Sequence, residues 1–169
     1  MARIRPAVPA DALAVASVHV ASWQVGYAHI FDQAFLAALD PSERARRYTF
    51  GLDDVTAPFT QVALVEESIV GFVTTSVCRD EDLEDAGEIQ ALYVDPAHWG
   101  RGIGRVLLHA GTERIVAQGF ATAALWVLVD NLRAKQLYVA EGWSFDGSVR
   151  VEDPWGVTAT VERLVRSLR

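Results

Sequence analysis

Apolar and polar positions change rhythm several times along the chain, and each change marks an element. Residues 2–7 alternate well enough for a first strand. Pro9, Ala10 and Asp11 read as a helix start with Asp11 as candidate N-cap, and the apolar-rich run Leu13, Val15, Val18, Val20 and Trp23 carries that helix to about Gly26. A second helix is expected over residues 32–39 and a third segment from Ser42, after Pro41, with Pro58 closing the helical part. Two strands follow, residues 61–66 and 69–78, around a turn at Glu67 and Ser68. Residues 79–85 are dense in like charge and predict an irregular acidic loop.

The next expected strand, residues 88–94, is stopped by Asp95 and Pro96. Residues 104–118 predict a helix with Val106, Leu107, Ile115 and Val116 broadly on one side and Gly119 as its stop. Residues 123–129 are apolar on both faces, as a central strand would be. A helix over residues 131–141, ended by Gly142, precedes two late strands, 143–151 and 157–165, around a turn at Asp153-Pro154-Trp155-Gly156. This order is that of one mixed α/β domain spanning residues 1–169, with no internal repeat or linker.

Composition narrows the function classes. The net charge of −7 argues against broad nucleic-acid binding, which needs Lys and Arg to neutralise phosphates, and would suit a cationic substrate. No apolar run reaches the roughly 20 residues of a membrane span, and Pro6, Pro9 and Asp11 break any signal-peptide core, so cytoplasmic residence is expected. The single cysteine, Cys78, sits in an alternating apolar stretch and reads as a half-buried core thiol. His19, His29, His98 and His109 lack zinc-like spacing, so no metal is implied.

The richest segment runs from Glu88 to Arg105. Gly100, Gly102 and Gly104 stand at alternate positions between a strand and a helix, where the backbone can approach a ligand without Cβ interference. Their amides, the helix N-terminus behind them, and Arg101 and Arg105 suit a pyrophosphate. A nucleotide P-loop would need Lys followed by Ser or Thr, and here Arg105-Val106 follows. A dinucleotide fingerprint fails too: counted from Gly102 its last glycine would be Leu107, and from Gly100 it would be Arg105.

Val94-Asp95-Pro96 followed by Gly100-Arg101-Gly102-Ile103-Gly104 resembles the acetyl-CoA signature of Gcn5-related N-acetyltransferases (GNAT), with Trp99 where that signature usually has Arg or Gln. Residues 126–143 resemble the family's later motif through Asn131, Ala134, Tyr138, Gly142 and Trp143. The resemblance covers roughly residues 60–150. It implies a mixed, mostly antiparallel sheet flanked by helices, with a splayed parallel strand pair at the acetyl-CoA site.

It also implies roles. Leu92 and Val94 would pair through their backbones with the pantetheine arm, Tyr93 between them pointing away, and the Leu92 amide would polarise the thioester carbonyl. Residues 100–105 (Ile103 among them) would hold the diphosphate, and Asn131 would cap its helix or bond the coenzyme. Tyr138 matches the tyrosine that donates a proton to the departing thiolate, a phenol being protonated at neutral pH. Glu88 stands where histone-acetylating members carry a carboxylate base. Period two puts it on the face of Leu92, about 13 Å along the strand. The expected reaction is direct acetyl transfer from acetyl-CoA to an amine: a small, polyamine-like molecule, or the amine of a peptide or protein N-terminus. The rival class is an acyl-CoA-binding sensor without turnover. Lys135 and Arg133 are expected in solvent, the acidic loop as a solvated tip, and Trp23, Tyr27 and Phe31 as a core stripe. Oligomeric state is left open, a homodimer included.

Overall fold

The computed structural model describes residues 2–169. Its elements in chain order are β1 (Arg3–Pro6), α1 (Ala12–Gly26), α2 (Gln33–Ala37), α3 (Pro41–Ala45), β2 (Phe59–Val65), β3 (Ser68–Val77), β4 (Ala86–Val94), α4 (Ile103–Ala117), β5 (Thr122–Leu128), α5 (Leu132–Ala140), β6 (Ser144–Glu152) and β7 (Ala159–Ser167). The strands form one sheet in the order β1-β2-β3-β4-β5-β7-β6. Every neighbouring pair is antiparallel except β4 and β5. This is the mixed, mostly antiparallel architecture that the sequence motifs imply.

Helix starts follow local chemistry. Asp32 caps α2 by accepting from the Ala34 and Phe35 amides, and Asp40 caps α3 through Ser42. Asp11 departs from expectation: it accepts from the Val8 amide and pairs with Arg5 at 2.6 Å, so it looks backward and leaves α1 uncapped by a side chain. The nearby guanidinium, which also lowers the Asp11 pKa, decides the direction. Val106 and Val116 are exposed, whereas Ile103, Leu107, Leu108 and Ile115 are buried. The inner face of α4 is therefore rotated from the one expected.

Two helical layers cover the sheet. On one side α4 and α5 pack over Val73, Ile89, Val94, Leu125 and Val127. On the other, α1 covers Phe72, Ala91 and Tyr93. Gly87 and Gly111 permit the close approach of α4: a Cβ at Gly87 would lie 2.4 Å from Ile115, and one at Gly111 2.9 Å from Val73.

Two irregularities in β4 shape everything near it. Ala91 pairs with Thr74 but Ile89 with Thr75, which leaves Gln90 as an unpaired bulge. Parallel pairing with β5 covers only Ala86–Ile89 against Thr122–Leu125, so beyond the bulge the two strands part. The expected splay is present.

Candidate active site

The gap between β4 and β5 opens into a cleft of about 640 Å³ that reaches both faces of the sheet. The Asp95 amide bonds the Val70 carbonyl at 2.8 Å, so alternation directs the Tyr93 backbone to β3 and the Leu92 and Val94 backbones into the gap. The Val94 carbonyl is already engaged, accepting from Ser22 Oγ at 2.9 Å and Trp99 Nε1 at 2.7 Å. The Leu92 backbone and the Val94 amide remain for an extended ligand.

At the open end of the gap, Gly100 and Gly102 have φ of +75° and +78°, a conformation that favours glycine, and a Cβ at either would meet nothing within 4 Å. The first bond of α4 runs from the Val106 amide to the Gly102 carbonyl. The Ile103, Gly104 and Arg105 amides thus precede the helical ladder and form an anion cradle. Open space, free amides and a helix dipole fit a diphosphate. Arg101 is exposed beside the loop, whereas Arg105 is tied to Glu141 at 2.6 Å.

Trp99 has a part that sequence reasoning did not assign. Besides its bond to Val94, its ring approaches Gly26 and carries the Arg133 guanidinium at 3.8 Å. It locks the loop to α1, and Arg133, exposed as expected, also lines the cleft. Lys135 bonds the Val129 carbonyl and Glu162, so it too is engaged. Asn131 accepts from the Ala134 amide and caps α5.

Glu88 lies elsewhere than the alternation rule placed it. The bulge at Gln90 shifts the phase, so Ile89, Leu92 and Val94 face α4 while Glu88 shares the α1 face with Ala91 and Tyr93. Its carboxyl lines the cleft and is only 6% exposed. Burial pushes its pKa above the usual carboxylate value, with the Arg79 and Arg150 charges pulling the other way.

Tyr138 is buried against Trp143 and also lines the cleft. Burial, aided by Tyr93, drives its pKa well above the usual phenol. Tyr27 is raised in the same way, by burial first and by Tyr93 and Tyr138 after it. The three phenols thus converge from both faces of the sheet at the splay.

The α1 face of the cleft is aromatic. Trp23 stacks on Trp155 at 4.2 Å, and His19 lies 4.3 Å from Tyr93 and 4.6 Å from Trp155. His19 shares a 2.6 Å bond with the Tyr48 hydroxyl, and burial together with Arg44 keeps its pKa far below the ordinary value. Trp23 and Tyr27 are therefore both core and wall, while Phe31 stacks on Trp23 as core. The acidic loop is not a free tip: Asp80 takes Trp126 Nε1, Arg150 and Arg163, and Asp82 pairs with Arg163. His19, Arg44, Trp126, Arg150 and Trp155 form this end of the site from five separate places in the sequence. No motif links them, and only the aromatic spacing around Trp23 hinted at them.

Known proteins share this fold. The model of the acetyltransferase (GNAT) family matches residues 23–143. An uncharacterized N-acetyltransferase of Bacillus subtilis, YuaI, is 28% identical over 138 residues, 78% of this chain and 74% of that protein. A mycothiol acetyltransferase of Nocardioides sp. is 29% identical over 70% of this chain, which spans only 42% of that longer protein. Among solved structures, YncA, a putative acetyltransferase of Salmonella typhimurium with its cofactor acetyl-CoA, superposes with a TM-score of 0.73 at 19% identity, covering 99% of this chain and 94% of that one. The PaiA N-acetyltransferase of Thermoplasma acidophilum in complex with coenzyme A gives 0.70 at 19% identity, over 96% and 98%. From the family model, the splayed strands and the glycine cradle together, the chain belongs to the GNAT acetyltransferase family.

Proposed function

We propose that this acetyltransferase moves the acetyl group of acetyl-CoA directly onto the primary amine of a small molecule, within one domain of residues 1–169. The observation that carries the choice of a small acceptor is closure of the α1 face. Trp155, on the turn before β7, lies over Trp23 and His19, while Arg44 from α3 lies over Trp155 at 4.5 Å. An acceptor must fit beneath these side chains, which suits a compact molecule better than a folded protein's terminus.

In the proposed reaction the Gly100–Arg105 amides hold the diphosphate and the gap-facing backbone of Leu92 and Val94 holds the pantetheine arm. The Leu92 amide donates to the thioester carbonyl and stabilises its developing negative charge. An alkylamine is protonated below a pH of about 10, so it must lose a proton before attack. Glu88, made more basic by burial and set on the acceptor face, takes that proton directly or through water. The amine nitrogen then bonds the carbonyl carbon, the carbon–sulfur bond breaks, and the sulfur takes a proton from Tyr138. The nitrogen's second proton restores the Tyr138 phenol through water, and Glu88 releases its proton to solvent. Its raised pKa keeps Tyr138 protonated up to the moment the thiolate departs. The products are the N-acetyl amine and coenzyme A.

A thiol-release assay with acetyl-CoA against small amines and basic peptides tests this reading. Turnover with small amines supports it; tight binding of acetyl-CoA with no transfer to any amine would instead make the chain a sensor.

A further inference from the structure

We propose that the acceptor carries a carboxylate as well as its amine, and that Arg44 receives the carboxylate. The inference rests on the reading of the α1 face as the acceptor end and deepens it. Arg44, in the last turn of α3, lines the cleft with its guanidinium 4.5 Å from the Trp155 ring and 5.4 Å from that of Tyr48. It is close enough to affect His19, Tyr48 and Tyr93, so its charge is directed inward. The one hydrogen bond of its guanidinium among the described residues is a long one, Nε to the Tyr48 hydroxyl at 3.5 Å.

No carboxylate among the described residues pairs with Arg44. Two other basic groups at this end are committed. Arg150 bonds Asp80 and Glu152, and Arg163 bonds Asp80, Asp82 and Asp146. Glu88 is buried. Arg79, which also lines the cleft, is likewise without a protein ion pair. The terminal N–H groups of Arg44 thus form a planar fork beside the Trp155 and Tyr48 rings that matches a carboxylate.

The scaffold for this fork is strained. Trp155 has φ +54°, which bulky residues rarely adopt, and that conformation places its ring between Trp23, His19 and Arg44. A polyamine would bring a second cation toward Arg44 and Arg79, against the expectation drawn from the net charge of −7. An amino acid would instead present its carboxylate to Arg44, its amine toward the splay and its side chain to the aromatic wall. The substrate class is therefore an α-amino acid or a close amino-carboxylate relative.

The test compares matched acceptors that differ only in the carboxylate, such as phenylalanine with phenethylamine and leucine with isoamylamine, with spermidine alongside. We expect the wild-type protein to favour the amino acids by about tenfold or more in kcat/KM, the scale of a charge-assisted contact. Arg44→Met should raise KM for the amino acids by about tenfold, erase that preference, and leave acetyl-CoA affinity by calorimetry unchanged. Arg44→Lys should recover it in part. Equal use of both members of each pair, or a preference for spermidine, overturns the proposal while leaving the acetyltransferase reading intact. Acetyl-CoA binding with no transfer to any amine would remove both.

Discussion

Glu88 shows how one inserted residue redirects chemistry. Strict alternation puts its carboxyl on the face of Leu92; the bulge at Gln90 turns it to the face of Tyr93, the side proposed for the acceptor. If Glu88 accepts the proton, kcat/KM rises with pH through its raised pKa, so the acid limb lies above the usual carboxylate value of about 4.3. Glu88→Gln should remove that limb and slow transfer by about a hundredfold, measured by thiol release across pH. The same shift acts on stability. A carboxyl whose folded pKa exceeds its unfolded one favours folding below the unfolded pKa and loses that contribution as pH rises through the folded pKa. Glu88→Gln should therefore raise the melting midpoint at pH 8 and not at pH 4. Tyr138→Phe should lower kcat with little change in acetyl-CoA affinity; an unchanged kcat would take Tyr138 out of the proton path. Type and approximate position of both residues were legible in the motifs. The face of Glu88 was not, because a bulge leaves no mark in a hydrophobic pattern.

At the scale of elements, α4 does two jobs that a single glycine-rich sequence makes compatible. Its N-terminus needs the positive φ of Gly100 and Gly102, and its body needs Gly87 and Gly111 so that it can lie against β3 and β4. Gly102→Val would strain the turn and crowd the cradle. Acetyl-CoA affinity should fall at least tenfold, about 1.4 kcal/mol by calorimetry. Gly87→Ala would collide with Ile115 and should cost about 1–3 kcal/mol in denaturant unfolding. The loop glycines announced themselves by their spacing before a helix. The packing glycines did not, since their reason is a partner distant in sequence. The inner face of α4 was misjudged for a related cause: Val106 and Val116 are apolar but exposed, so apolarity alone set the wrong angle.

Across the whole molecule, order of elements and sheet type followed from the alternation of strand and helix periods together with two motifs. The aromatic end of the cleft did not, because the fold gathers it from α1, α3, the acidic loop, β5 and the turn between β6 and β7. Arg163 holds much of that end together. It is 4% exposed, joins Asp80 and Asp82 of the loop to Asp146 of β6, and has a pKa raised first by its bond to Asp82. Arg163→Met would leave a nearly buried Asp80 with Arg150 as its remaining cation. The expected loss is about 3 kcal/mol, a fall in melting midpoint of about 6–12 °C. Among the described residues no helix is long and apolar enough to cross a membrane.

The most direct test is a crystal of the protein soaked with coenzyme A. The account predicts diphosphate density on the amides between Gly100 and Arg105, with the pantetheine chain running between β4 and β5 past Leu92. Diphosphate density at any other place, or a chain that avoids the gap, would contradict it.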